Sequence, residues 1–113
     1  MTTATTITSE AIAEARAEAV TAARLAVEDL VTNGYATYRW YGQAVGAAQA
    51  PAILLGADRD LYEASIWNEA AESMRRGAAL ARQYGWDTAD LYEAAALEAD
   101  RYEAIRYAAG TAS

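Results

Sequence analysis

The chain contains no cysteine, no histidine, no lysine and no phenylalanine, and only one proline among its 113 residues. Without cysteine it can form no disulfide framework. Without histidine and lysine it also lacks the most common general base and the amine nucleophile of many enzymes. There are no Glu-x-x-His pairs of the kind that bind metal in ferritin-like bundles. Because only carboxylates, tyrosines and four serines remain, we expect a protein that is not an enzyme and that uses no metal and no cofactor.

Large aliphatic side chains are scarce as well. Leucine, isoleucine and valine together number 17, whereas alanine alone accounts for 31 residues. Alanine is the strongest helix former, and eight tyrosines and three tryptophans can each bury roughly 150–250 Å². We therefore expect an all-α protein whose helices pack closely through small residues, with aromatic side chains filling the gaps.

The net charge is −7, and all nine cationic residues are arginine. This acidic balance disfavours general binding to nucleic acid or to an anionic membrane. The N-terminal stretch has neither a basic region nor an apolar run, so we expect no secretory signal and a cytoplasmic location. An alanine-rich, lysine-free composition is typical of high-GC genomes, such as those of actinobacteria and their phages.

Apolar residues at a spacing of three and four predict four helices, over 9–33, 35–49, 58–84 and 87–109. Asn33-Gly34, Pro51 and Gly110 stand where helices should end. We expect one antiparallel bundle domain over 9–110, preceded by a frayed tail over 1–8. The apolar phase continues across Asn33-Gly34, so a single kinked helix covering the first two segments is the alternative.

The last two segments form the best-defined part of the pattern, because both open with Asp-Leu-Tyr-Glu-Ala, at Asp60 and again at Asp90. Asp58 or Asp60 should cap the first of them, and Asp87 with Asp90 resembles a capping box for the second. Two adjacent seams are expected on 58–84, the first with Ala64, Trp67, Ala71, Met74, Ala78 and Ala81, the second with Tyr62, Ile66, Ala70, Gly77, Leu80 and Tyr84. The core stripe expected on 87–109 is Leu91, Ala94, Ala95, Tyr102, Ile105 and Ala109, and Glu98 on that stripe is expected to pair with an arginine.

The join between these helices, from Ala81 through Gly85 to Ala94, resembles the helix-turn-helix pattern of small residue, glycine, aliphatic and small residue. The resemblance implies a DNA-reading second helix. That helix would carry five carboxylates and no Arg, Asn or Gln at its start, so we expect an ordinary helical hairpin instead.

Tyr38, Arg39, Trp40 and Tyr41 form the most unusual stretch of the sequence. Four consecutive large side chains point around most of a helix, so one core cannot cover them all. These residue types are enriched at interface hot spots, and we predict that they bind a protein partner or a second copy of the chain. A purely core role is the alternative. Residues 35–57 carry a single charge, but Gln43, Gln49 and Pro51 interrupt them, so no membrane span is expected.

Five carboxylates could form a second kind of surface: Glu10, Glu14, Glu18, Glu28 and Asp29 fall on one face of the first helix. Such a row could imitate DNA phosphates and block a nucleic-acid-processing protein, but a solvated face that keeps an alanine-rich protein soluble is the simpler interpretation. The sequence thus predicts a small, acidic, helical protein that acts by protein–protein contact and forms a homo-oligomer, in an accessory or structural role. The acidic inhibitor is the alternative function.

Overall fold

The structure is a computed structural model that describes residues 9–34, 42–46, 52 and 55–112. The protein is an all-α helical bundle, and the described residues include no β-strand. Its long helices are α1 (Ser9–Asn33), α2 (Arg59–Tyr84) and α3 (Ala89–Thr111). Residues 42–46 are also helical, within the segment predicted as the second helix, and the buried Ala44 joins the core. The expected tail over 1–8 lies outside the described residues.

Helix α1 ends where the sequence predicted. Gly34 has a φ of +79°, a left-handed conformation that glycine adopts without strain. Its amide N–H donates to the carbonyl oxygen of Leu30 at 2.9 Å and closes the last turn. A backbone with positive φ cannot continue a right-handed helix, so the alternative of one continuous helix through residue 34 is wrong.

Helix α2 is capped at both ends by its own sequence. The Asp58 carboxylate accepts hydrogen bonds from the amides of Asp60 and Leu61 at 2.9 and 3.0 Å, which satisfies two of the free N–H groups that begin any helix. At the other end Gly85 has a φ of +69°, and the amide of Trp86 donates to the carbonyl of Ala81 at 2.8 Å. Gly85 therefore ends α2, and a short turn leads from it to α3.

Two predicted details of α3 are wrong. The helix begins at Ala89, and its N-cap is Thr88 rather than Asp87, with no side-chain capping bond. The left-handed Gly85 needs a short turn after it, which uses residues 87 and 88 before a helix can start. Gly110 does not end α3 either, since the helix continues to Thr111. A Cβ at Gly110 would lie 2.7 Å from the Leu61 side chain, so this glycine permits a close approach of α2 and α3.

Helices α2 and α3 form an antiparallel hairpin along almost their whole length. Ion pairs join Arg106 to Glu63, Arg75 to Asp100 and Arg82 to Glu93, so residues late in α2 meet residues early in α3. The Trp67 and Tyr102 rings stack between them, with centroids 4.7 Å apart. Helix-turn-helix motifs instead cross at about 90–120°. The plain hairpin is confirmed, and the geometry expected from the helix-turn-helix resemblance is absent.

The first seam of α2 is confirmed in full, because each of its six members is buried, mostly against α3. The second seam is confirmed only in its first half. Ile66 and Ala70 are buried, but Leu80 and Tyr84 are exposed. The core cluster takes its α2 members from between Ile66 and Met74. Beyond Met74 the buried residues of α2 are Ala78 and Ala81, both of the first seam, so only one side of the helix is covered there.

The predicted stripe of α3 is also wrong in part, for a different reason. Ala95 is buried and Tyr102 packs against the core, but Ile105 and Ala109 are exposed. The buried residues of this helix are Ala89, Ala95, Ala96 and Ala99. Arg106 pairs with Glu63 and Gly110 closely approaches Leu61, so α2 runs beside this part of α3. Ile105 is exposed because it lies on the side of α3 that faces away from α2.

A buried polar network holds one end of the hairpin. Glu63 is almost fully buried and accepts a hydrogen bond from Trp67 Nε1 at 3.1 Å. The Arg106 guanidinium lies 2.8 Å from the same carboxylate and 3.5 Å from that of Asp60. A buried carboxylate is costly unless it is paired and hydrogen-bonded, and here both conditions are met. The network fixes the register of α2 against α3.

Helix α1 packs onto this hairpin through alanine. Ala19, Ala22, Ala23, Ala26 and Val27 are buried and form one face of the helix. Arg16 pins the N-terminal half of α1 to α2, because its guanidinium contacts the Glu69 carboxylate at 2.8 Å and the Ser65 hydroxyl at 3.2 Å. It also lies 5.4 Å from the centroid of the Tyr62 ring. The predicted alanine-lined, close-packed core is therefore present.

Candidate interaction surfaces

The surface predicted to bind a partner, formed by Tyr38, Arg39, Trp40 and Tyr41, lies outside the described residues. Its role remains a prediction. The other predicted surface, the acidic face, lies entirely on α1, within the described residues.

The acidic face points away from the core. Glu10, Glu14 and Glu18 are exposed, on the side of α1 opposite its buried alanines. Glu28 and Asp29 fall on the same face but are only partly exposed. Thr21 and Leu25 separate the two groups, so the carboxylates form a cluster of three and a distant pair, not one continuous row.

The distant pair is more restrained than the cluster. Burial raises the pKa of the Glu28 carboxyl, and the nearby Asp29 adds to this while Arg24 opposes it. The Asn33 side-chain amide donates to the Asp29 carboxylate at 3.2 Å. These two carboxylates therefore belong partly to the structure of α1, and only Glu10, Glu14 and Glu18 form an open acidic surface.

The structure also exposes large apolar side chains, some of which the sequence pattern predicts to be buried. Eight large ones are exposed among the described residues: Leu55, Leu61, Leu80, Tyr84, Trp86, Leu97, Ile105 and Tyr107. Single exposed apolar residues are ordinary on protein surfaces, and only those that lie together indicate an interface. Three groups can be distinguished by position.

The first group closes the α2–α3 hairpin. The Tyr84 and Trp86 rings stack with centroids 5.3 Å apart, on either side of the left-handed Gly85. Leu80 is exposed one turn before Tyr84 on the same side of α2. These rings stack on each other, which already removes part of their apolar surface from water.

The second group lines a shallow groove of about 390 Å³ between the start of α2 and the end of α3. Its lining residues are Leu61, Ala64, Ser65, Asn68, Glu103 and Tyr107. Burial raises the pKa of the Glu103 carboxyl, with Asp100 and Glu72 adding to the effect and Arg75 opposing it. The Ser65 hydroxyl donates to the Tyr62 carbonyl at 2.6 Å, so its proton is not available to the acid. The groove thus lacks a paired nucleophile and base.

The third group is the outward face of α3, defined by Leu97, Arg101, Ala104, Ile105, Ala108 and Ala112. All six are exposed, and at 100° per residue they fall within an arc of about 100°. Leu97 and Ile105 expose 68% and 54% of their surface. Arg101 is the one charged member. From residue 102 to 112 every exposed residue of this helix is uncharged.

Glu98 lies at the edge of this outward face. As expected, it pairs with an arginine, since the Arg101 guanidinium lies 3.4 Å from its carboxylate. The same carboxylate oxygen is shielded from solvent and has no hydrogen-bond partner. The two groups are close enough for attraction but not aligned for a hydrogen bond. Arg101 is therefore only loosely held within its own chain.

Within residues 9–34, 42–46, 52 and 55–112, no group of three or more acidic side chains is arranged to hold a metal ion. No helix in these ranges is both long enough and apolar enough to cross a membrane. Comparison of the chain with protein-family models, with curated proteins and with solved structures finds no match.

Proposed function

We propose that this protein acts without catalysis, by protein–protein contact, and that it associates with itself. The observation that carries the proposal is the outward face of α3. A helix of an isolated bundle normally turns apolar residues inward and charged residues outward. Helix α3 has buried alanines on one side, and from residue 102 onward its exposed residues carry no charge. An apolar strip of this kind is expected where a second protein surface covers it.

The composition of the chain supports a contact role as well. It has no cysteine, histidine or lysine, and the groove beside Glu103 does not combine an acid with a free nucleophile. A small accessory or structural protein needs only a stable scaffold and surfaces that recognise partners. The hairpin, with its ion pairs and buried seam, supplies the scaffold.

The test is the mass of the protein in solution across a wide range of concentrations. Sedimentation equilibrium should show a mass that rises from that of the monomer as the concentration increases from micromolar to millimolar. Each copy carries a charge of −7, and salt screens repulsion between copies as the Debye length falls from about 10 Å at 0.1 M to about 3 Å at 1 M. Association through apolar surfaces should therefore hold or strengthen with salt. A monomer at every concentration and salt level contradicts self-association.

The predicted aromatic surface can be tested in the same experiment. Trp40→Ala and Arg39→Ala should leave the melting temperature nearly unchanged and weaken either self-association or the capture of a partner. If Trp40→Ala instead unfolds the monomer, the aromatic stretch belongs to the core, and its assignment as a binding surface is wrong.

The second candidate function is an acidic inhibitor of a nucleic-acid-processing protein. It is favoured by the open cluster of Glu10, Glu14 and Glu18 on α1. These carboxylates repeat every four residues, or about 6 Å along a helix, whereas one DNA strand carries a charge about every 3.4 Å. The cluster is therefore about half as dense as the strand it would imitate. A partner released steeply by salt, and lost in a variant with all three changed to glutamine, would support this candidate over the first.

A further inference from the structure

We infer that the outward face of α3 pairs with the same face of a second copy, with the two helices antiparallel across a two-fold axis between Ala104 and Ile105. This inference rests on the proposed self-association and identifies its surface and geometry. Three features of α3 lead to it: the arrangement of large and small residues, the position of its one exposed cation, and the composition of its last turn.

The order of side chains along the face is self-complementary: the larger residues, Leu97, Arg101 and Ile105, lie toward its N-terminal end, and the alanines, Ala104, Ala108 and Ala112, lie toward its C-terminal end. In the antiparallel arrangement Ile105 of one copy faces Ala104 of the other, and Leu97 faces Ala112. Each exposed aliphatic side chain then meets an alanine, which leaves room for it, and the pairing repeats on both sides of the axis. A face that is complementary to itself is what a two-fold interface requires.

Charge selects the same arrangement. The last turn of α3 contains no basic residue, although the C-terminal end of a helix carries a partial negative charge that a cation stabilises. In the antiparallel pair, Arg101 of each copy lies opposite Ala108 of the other, beside the last turn of the partner helix. Arg101 is exposed, and its contact with Glu98 is not aligned as a hydrogen bond. It can therefore reach the negative end of the partner helix without breaking a strong bond of its own.

The size of the face sets the expected affinity. Residues 97–112 span about 22 Å of a helix that is about 10 Å wide, so each copy contributes a small strip. Stable interfaces bury about 800 Å² on each partner, which is well above what this strip supplies. We therefore expect a weak dimer, with a dissociation constant in the micromolar range or higher.

The first test compares two exposed aliphatic residues. Ile105→Glu places a charge at the centre of the proposed interface and should raise the dissociation constant at least tenfold. Leu80→Glu is the matched control, because Leu80 is similarly exposed but lies on α2, outside this face. Both variants should keep the wild-type melting temperature in dilute solution, measured in parallel by circular dichroism.

The second test reads the direction of the helices. Because the chain has no cysteine, a single introduced cysteine can cross-link only to its own symmetry mate. Ala104→Cys lies next to the proposed axis and should form a disulfide-linked dimer under mild oxidation. Ala108→Cys is displaced from its mate by about 10 Å along the helix, beyond the reach of a disulfide, and should stay monomeric on a denaturing gel. Cross-linking of both would indicate parallel helices and overturn the proposed geometry.

The outcomes separate this inference from the function on which it rests. If the wild-type protein is monomeric at all concentrations, self-association and the inferred interface both fail. If it associates and Ile105→Glu associates equally well, self-association stands and the outward face of α3 is not its surface. Loss of association in Ile105→Glu but not in Leu80→Glu, with cross-linking at Ala104→Cys alone, supports the inference.

Discussion

The two sides of α3 are built largely from the same amino acid but have different surroundings. On the inner side, Ala95 and Ala99 are fully buried against the rest of the bundle. On the outer side, Ala104 and Ala108 are exposed to solvent. Alanine is compatible with both because it costs little to expose and allows close packing when buried. The difference shows that the alanines themselves do not define the core. An alanine belongs to the core only where larger residues pack around it, and Ala95 and Ala99 share their buried cluster with Trp67 and Met74.

The strongest test of this contrast removes Trp67, the large side chain of α2 that packs against Tyr102 of α3. Trp67 is fully buried, stacks on Tyr102 and donates a hydrogen bond to Glu63. Trp67→Ala should lower the free energy of unfolding by about 3–5 kcal/mol, a large part of the total for a small domain. Leu97→Ala, on the outer side, should change it by no more than about 0.5 kcal/mol. Urea unfolding of the dilute monomer, followed by circular dichroism, gives both values. Equal effects would mean that the two sides do not differ in their contribution to stability.

The next test makes the same substitution on both kinds of surface. Ala71 and Ala78 lie in the seam between α2 and α3, with almost no exposed surface, so leucine at either site should overpack it and cost about 1–3 kcal/mol. Ala104→Leu should be neutral within about 0.5 kcal/mol, because solvent accommodates the larger side chain. Thermal melts at low protein concentration would measure all three variants. Wild-type stability in both seam variants would show that the seam is not closely packed.

Two glycines, Gly77 within α2 and Gly85 directly after it, extend the comparison to the backbone. Gly85 has a φ of +69°, so Gly85→Ala should cost about 1–2 kcal/mol of strain. Gly77 lies within the helix, and a Cβ there would meet the Tyr92 ring at 3.4 Å, an ordinary contact distance. Gly77→Ala should therefore raise the free energy of unfolding by up to about 1 kcal/mol, because glycine is a poor helix former. A loss of stability in Gly77→Ala would indicate that Tyr92 has no freedom to accept a methyl group.

Much of the fold could be predicted from the sequence because local signals determine it. The Asp58 cap, the left-handed Gly34 and Gly85, and the seam from Ala64 to Ala81 are each specified by residues close together in the chain. The errors at Leu80, Tyr84 and Ile105 have a different origin. Periodicity indicates which residues share a face, but it does not indicate how far the neighbours of α2 extend along it, which decides Leu80 and Tyr84. It also does not indicate which face of α3 turns toward α2, which decides Ile105.

The candidate surfaces were harder to predict for the same reason. The outward face of α3 looks like a core stripe in the sequence, since Ile105 and Ala109 keep the spacing of buried residues. One signal could have revealed it. After Arg101 the only charged residues of α3 are Glu103 and Arg106, and Arg106 is paired with Glu63 of α2. A helix whose inner face is complete yet still lacks charge on the other side is a candidate for a second contact.

The smallest expected effect distinguishes buried from exposed carboxylates on α1. Burial raises the pKa of Glu28 above its ordinary value of 4.5, so the folded state holds the proton more tightly than the unfolded state does. The ionised form of Glu28 therefore lowers stability above the raised pKa, and this cost disappears as the pH falls below the ordinary value. At pH 7 Glu28→Gln should raise the free energy of unfolding by no more than about 0.5 kcal/mol, since Glu28 is still partly solvated.

The control for this prediction is Glu14→Gln, in the exposed cluster. Glu14 has like charges four residues away on both sides, at Glu10 and Glu18, so its removal should also stabilise the helix by a few tenths of a kcal/mol. That gain comes from repulsion between solvated charges and should vanish at about 1 M salt, whereas the gain in Glu28→Gln comes from burial and should persist. Melts at low and high salt, at pH 7 and again below pH 4.5, compare the two. If salt abolishes both gains, repulsion by Asp29 rather than burial destabilises Glu28. A loss of stability in Glu28→Gln would instead mean that attraction to Arg24 outweighs the cost of burial.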